Sequence, residues 1–160
     1  MLVDGLPIPE RLVALIQSGS WPRTPEEELR QNLKSLVEEA RIKIVAPEQD
    51  RIYFVRPPFS TVAQLSKGGE RNFWSTSAAP QDIDAKLAVV IGDFGLGSDA
   101  PILLDYRKNE LNPTVIRLKW NYGAGQRNQW LLCANTFDEF ADILSLDPVR
   151  ERVSHPNRRN

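Results

Sequence analysis

At 160 residues, with 41% hydrophobic and 26% charged side chains, the chain is long enough for one domain with its own core. A net charge of −1 leaves no general electrostatic footprint for nucleic acid or a membrane surface, and a single cysteine, Cys133, excludes an internal disulfide. No apolar run approaches the roughly 18 residues a membrane span needs, and the first residues, with Asp4 and Pro7, show no secretory signal, so a cytoplasmic location is expected.

Ile8, Leu12, Leu15 and Ile16 recur at helical spacing and predict a helix over residues 8–18, closed by Gly19. Thr24-Pro25-Glu26-Glu27 opens another: Thr24 as N-cap, Pro25 at the first position, Glu27 where a capping box needs a carboxylate. Leu29, Leu33, Leu36, Val37 and Ala40 extend the apolar stripe. The spacing predicts a helix from 25 to about 41, with Ser35 or its neighbours as the place it would break and Pro47 as its limit. Residues 51–55 are β-rich and end at Pro57-Pro58. Residues 61–66 suit either a helical turn or an edge strand. In the polar stretch 68–80, Phe73 and Trp74 are expected to plug the core.

The stretch from Leu87 to Trp120 organises the rest. Apolar runs at 87–91 and 102–104 flank a glycine-punctuated acidic loop, with Asp105-Tyr106-Arg107 after the second. Ile116, Leu118 and Trp120 then alternate with Arg117 and Lys119, as in a half-buried antiparallel strand. A hairpin loop over 121–128 leads to a return strand over 129–133. Thr136 and Glu139 form a second capping box for a last helix with Phe137, Phe140, Ala141 and Leu144 on one face, stopped at Asp147-Pro148. Four arginines against one glutamate give residues 150–160 a charge of +3, leaving −4 for the rest, and this basic tail is expected to be disordered. Helices, then strands, then a helix define the α+β class.

Little in the chain points to catalysis. The only histidine, His155, lies in the tail, so a histidine-dependent triad is not expected, and one His with one Cys cannot close a zinc site. Cys133, in an apolar strand, reads as a buried, inert thiol. Asp93-Phe94-Gly95 spells the kinase metal-binding tripeptide without the companion motifs of that fold. Gly92, Gly95 and Gly97 lack dinucleotide spacing and read as residues allowing positive φ in a tight link. Asp93 and Asp99 are oxygen donors within one loop, a set suited to turn capping or, less readily, to a hard cation. Asp105 is placed to pair with Arg107 or Lys119 as an exposed ion pair worth little. Of the large aromatics, Trp74, Tyr106, Trp120 and Trp130 read as core, whereas Phe94 and Tyr122, in loops, stay open as surface anchors.

Several of these features recur together: Ile91-Gly92-Asp93 with Gly97, Ile102-Leu103-Leu104-Asp105, Pro113-Thr114-Val115-Ile116 leading to Trp120, Trp130, and the closing Ala134-Asn135-Thr136-Phe137-Asp138-Glu139-Phe140. In this order and spacing, over residues 87–146, they resemble the SUKH superfamily, which includes bacterial immunity proteins and a yeast cell-wall synthesis regulator. The resemblance implies one domain over residues 1–149, with a curved, mostly antiparallel sheet and N-terminal and C-terminal helices packed on it. It implies no enzyme activity and no cofactor or metal. The implied partner is a protein, such as a polymorphic toxin domain, bound through the sheet face and adjoining loops, with no direct role for nucleic acid or membrane. The residues expected to meet it are Asp93, Phe94, Asp99, Asp105, Tyr106 and Arg107. An intracellular regulatory scaffold is the alternative, and a metal-dependent hydrolase using the Asp93/Asp99 loop is the third reading.

Overall fold

In the computed structural model, which describes residues 1–69, 72–95 and 100–147, the central apolar runs become a meander. Strand β5 (Ala88–Asp93) pairs with β6 (Pro101–Asp105), β6 with β7 (Thr114–Lys119), and β7 with β8 (Gln129–Ala134), all antiparallel. Two earlier two-residue strands, β3 (Tyr53–Phe54) and β4 (Ser60–Thr61), pair in succession along the other side of β5. Among the described residues, these six strands form one sheet with β8 at its free edge, and β1 (Leu2–Val3) and β2 (Leu6–Pro7) form a separate hairpin. The register shifts between Val90 and Gly92 leave Ile91 unpaired, and a second shift leaves Cys133 unpaired opposite β7.

Apolar side chains leave the sheet on both faces. Val89, Ile91, Ile102, Leu104 and Val115 join one core with α1 (Glu10–Ser18), α3 (Glu39–Val45) and α5 (Phe137–Ile143), whose buried residues include Leu12, Leu15, Ile42, Phe137 and Phe140. Ala88, Leu103 and Ile116 form a smaller core on the other face with Val62 of α4 (Val62–Leu65) and with Trp74 and Ala78. Burying each such large aliphatic or aromatic side chain contributes about 1.5–3 kcal/mol. The fold is therefore α+β, an open antiparallel sheet with helices against it.

The helix predicted over 8–18 forms as α1, and Gly19 closes it in the left-handed region at φ 78°. The helix predicted over 25–41 does not run through. It divides into α2 (Pro25–Arg30) and α3, and the cause lies in the tertiary structure. The buried Gln31 side chain accepts from the Phe54 amide at 2.8 Å and donates to the Phe54 carbonyl at 2.9 Å, filling both hydrogen-bonding groups of a strand residue. Ser35 Oγ then donates to the Val37 carbonyl and accepts from the Val37 amide, a local loop that competes with helix. Val37 is buried, but Leu29, Leu33 and Leu36 of the predicted stripe stay exposed.

Strand β7 also departs from the half-buried expectation. Arg117 points away from Ile116 as predicted, yet it is only 3% exposed, because the first core covers that face too. Its guanidinium donates to the Glu48 carboxylate, at 3.2 Å from Nη2 to Oε2, and lies 5.9 Å from the centre of the Phe94 ring. Residues 61–66 combine both predicted forms: Thr61 pairs with Val89, then starts α4 with a full capping box to Gln64. The predicted boxes at Thr24 and Thr136 are half formed. Each threonine hydroxyl accepts from the third helical amide, but the Glu27 and Glu139 carboxylates reach one residue further out, to the Arg23 and Asn135 amides. Phe73 and Trp74 open a π-helical turn (Phe73–Ser77), with Trp74 buried as a plug.

Gly92 is required for a reason other than positive φ. A Cβ at this position would stand 2.8 Å from the Tyr53 carbonyl oxygen of the paired strand. Gly92→Ala is expected to cost about 1–3 kcal/mol, read as a lower denaturant midpoint, because backbone on both sides must give. Gly95, by contrast, does adopt φ 124°.

Candidate functional site

The strands separate the residues expected at one site. Asp93 pairs with Pro101, and Ala88 with Asp105, so the acidic turn and the Asp105-Tyr106-Arg107 segment sit at opposite ends of the β5–β6 pair. At a strand's rise per residue, that is about 17 Å.

At the first end, Asp93 Oδ2 accepts from the Ala100 amide at 3.2 Å, and the Phe94 amide donates to the Ala100 carbonyl at 3.0 Å. The carboxylate thus caps the turn it starts. The expected surface role of Phe94 is overturned: the ring is 1% exposed and packs in the main core under Arg117. The apolar ring gains more from burial than from solvent. Asp99 and Gly97 lie outside the described residues. Among the described residues, no group of three or more His, Cys, Asp or Glu side chains is placed to hold a metal ion.

At the second end, Tyr106 is likewise no surface anchor. It is fully buried, its hydroxyl donates to the Pro7 carbonyl at 2.7 Å, and burial pushes its pKa well above the ordinary phenol value. It fastens the sheet to the N-terminal hairpin. Asp105 is buried too, at 5% exposure, instead of forming the exposed pair expected. Arg107 grips it with Nε at 3.0 Å from Oδ1 and Nη2 at 2.8 Å from Oδ2, while the Arg107 amide adds a 3.1 Å bond to Oδ1. Nη1 of Arg107 donates to the Asp82 carbonyl at 2.9 Å. The hydrogen bond to Asp105 raises the Arg107 pKa further, so the cation is permanent.

This anchored arginine, with a side chain still 42% exposed, forms one wall of a groove of about 500 Å³ on the second sheet face. Thr114 and Ile116 form the floor, and Trp130 and Leu132 of the edge strand the opposite side. Arg127 closes one end, with Nη2 4.0 Å from the Asp82 carboxylate. Leu132 is 53% exposed. The groove is built rigidly: Trp130 Nε1 donates to the Ala78 carbonyl at 2.6 Å, and Asn128 Nδ2 to the Ser77 carbonyl at 2.8 Å. These bonds dock the β7–β8 hairpin on the π-helical turn. Phe73, Trp120 and Tyr122 continue the support as a ladder of rings, with centroids 6.4 Å apart at each step. Tyr122, left open as a surface anchor by its loop position, ends the ladder almost fully exposed.

Arg127, Leu132 and Asp82 were not legible as site residues. Residues 129–133 read as a return strand, and nothing in them signals a sheet edge. Cys133 is a free thiol and only partly buried where full burial was expected, and burial pushes its pKa up to about 12.

Comparisons with protein-family models, with curated proteins and with solved structures find no match to this chain. Among the described residues, no helix is long and apolar enough to cross a membrane.

Proposed function

We propose that this chain is a non-catalytic protein-binding domain of the SUKH kind, a cytoplasmic immunity protein that binds and neutralises a toxin domain. The observation that carries the reading is the groove at Asp105–Arg107. It combines a pre-oriented arginine, a second exposed cation in Arg127, and apolar contact area on Trp130 and Leu132, beside a strand edge that is unpaired among the described residues. Partially exposed Trp and Arg side chains held by their own internal bonds are the usual anchors of a protein interface. The edge adds main-chain donors and acceptors that an extended partner segment can use. Asp82 and Asp105 set carboxylates among the cations, so the partner is selected by a pattern of both signs. The −4 charge outside residues 150–160 would speed encounter with a basic nuclease.

The test is affinity capture with the tagged protein from its native lysate, followed by titration of the captured partner's activity. A partner carrying a toxin domain, silenced at one equivalent, is the expected result. Capture of several housekeeping proteins, none silenced, would replace this reading with a regulatory scaffold.

A further inference from the structure

The interrupted helix leaves a second surface, separate from the sheet groove. Leu29, Leu33 and Leu36 are 60%, 93% and 45% exposed, three large aliphatic side chains within eight residues. Leu33 and Leu36 border a groove of about 390 Å³, whose wall is made by Gly19 and Pro22 after α1. Clustered exposure of this kind differs from the scattered apolar residues of an ordinary surface.

Two cations, Arg30 and Lys34, and one carboxylate, Glu27, line the groove. The Lys34 amide donates to the Arg30 carbonyl at 2.9 Å, so a helical turn carries these two cations to the same side of the groove. Neither has a carboxylate partner within 4.0 Å among the described residues. The one carboxylate lining the groove, Glu27, is already taken by Arg23, at 2.9 Å from Nη2 to Oε1. An apolar trough with two cations outside any close ion pair is complementary to apolar side chains that alternate with carboxylates.

We propose that the groove between Pro22 and the Leu33–Leu36 turn is a docking site for an acidic amphipathic peptide segment. Its apolar side chains seat against Leu33 and Leu36, and its carboxylates pair with Arg30 and Lys34. The stripe over 25–41 buries Val37 but leaves Leu29, Leu33 and Leu36 outside the core, which is the local conflict expected where a surface serves a partner.

The test uses the full chain and a fluorescein-labelled helical peptide of about 18 residues, with leucine at i, i+3, i+4 and i+7 and glutamate elsewhere. A second peptide carries lysine in place of every glutamate. Anisotropy is expected to show saturable binding of the acidic peptide only, at least tenfold weaker for Arg30→Glu with Lys34→Glu and for Leu33→Ser. These side chains are exposed, so the variants keep their circular dichroism and melting point. A Leu132→Arg, Arg127→Glu variant of the sheet groove is expected to bind like the parent. No saturable binding, equal affinity for the lysine peptide, or undiminished binding by the Arg30/Lys34 and Leu33 variants would overturn the proposal. Binding to anionic phosphatidylglycerol vesicles without affinity for the acidic peptide would overturn it in favour of a lipid surface.

Discussion

Trp21→Ala is expected to lower the unfolding free energy by about 4 kcal/mol, the range for removing a large aromatic from a core. Trp21 is fully buried. Its ring stacks on Phe54 at a centroid distance of 4.1 Å and meets Phe59 and Phe137 edge-on at 6.5 and 6.2 Å. It therefore joins α5 and β3 through one side chain, and alanine leaves a cavity whose walls belong to separate elements and cannot close together. The indole N–H also donates to the Val55 carbonyl at 2.8 Å, a bond that alanine cannot replace. In a chain of this size the melting temperature should fall by roughly 12 °C. Trp21→Phe is expected to recover most of the packing and to retain a cost of about 1–2 kcal/mol for the unpaired carbonyl. Denaturant titration of both variants checks the division. A Trp21→Ala loss below about 1 kcal/mol would mean that the aromatic cluster does not join these elements.

The second large effect concerns Glu48 and Arg117, and it is asymmetric. The Arg117 side chain is 4% exposed and that of Glu48 37%. Glu48→Ala strands a cation inside the main core, at a cost of about 2–3 kcal/mol, less than for a fully dry pair because water reaches the carboxylate's side. Arg117→Met removes the buried charge, refills the volume and leaves Glu48 hydrated, so a change within about 1 kcal/mol is expected. The double variant should therefore be more stable than Glu48→Ala alone, an outcome that simple loss of attraction does not produce. Burial alone would raise the Glu48 pKa, but the Arg117 hydrogen bond, a backbone hydrogen bond and the Arg117 and Lys119 charges together outweigh it and hold it below the ordinary 4.5. A depressed carboxylate pKa stabilises the fold fully above the unfolded value, and that stability is lost as pH falls through the folded value. The parent should lose stability below about pH 4.5, and Glu48→Gln should lose less over the same interval.

These two side chains also mark where the sequence is legible. The runs at 87–91, 102–104 and 114–120 and the return strand declare themselves by apolar pattern, and the meander follows because short links permit little else. Helices α1 and α5 are equally plain, since their stripes and end residues agree. The pattern fails where a distant residue overrules a local preference. The Gln31 side chain bonds both backbone groups of Phe54, 23 positions away, and α2 gives way to turns just beyond it. Arg117 alternates like a solvent-facing residue because Glu48, which makes its burial tolerable, lies 69 positions away. The site suffers the same way. Asp105 and Arg107 are adjacent enough to be paired by eye, and they do pair, but their depth depends on what covers the sheet. Asp93 and Phe94 share the acidic, aromatic composition of an interface, yet one caps its own turn and the other fills the core. Arg127 and Leu132 matter only because β8 is an edge, and strand order is a property of the whole chain.

The measurement that bears most directly on the protein-binding account is a parallel affinity capture from native lysate. The baits are the parent chain and the Leu132→Arg, Arg127→Glu variant, two exposed changes that leave the Asp105–Arg107 pair intact. The account predicts a single toxin-bearing partner enriched by the parent and lost from the variant, with both baits equally folded by circular dichroism. The same partner retained in full by the variant would contradict the groove as the interface, and no specific partner with either bait would contradict the binding function itself.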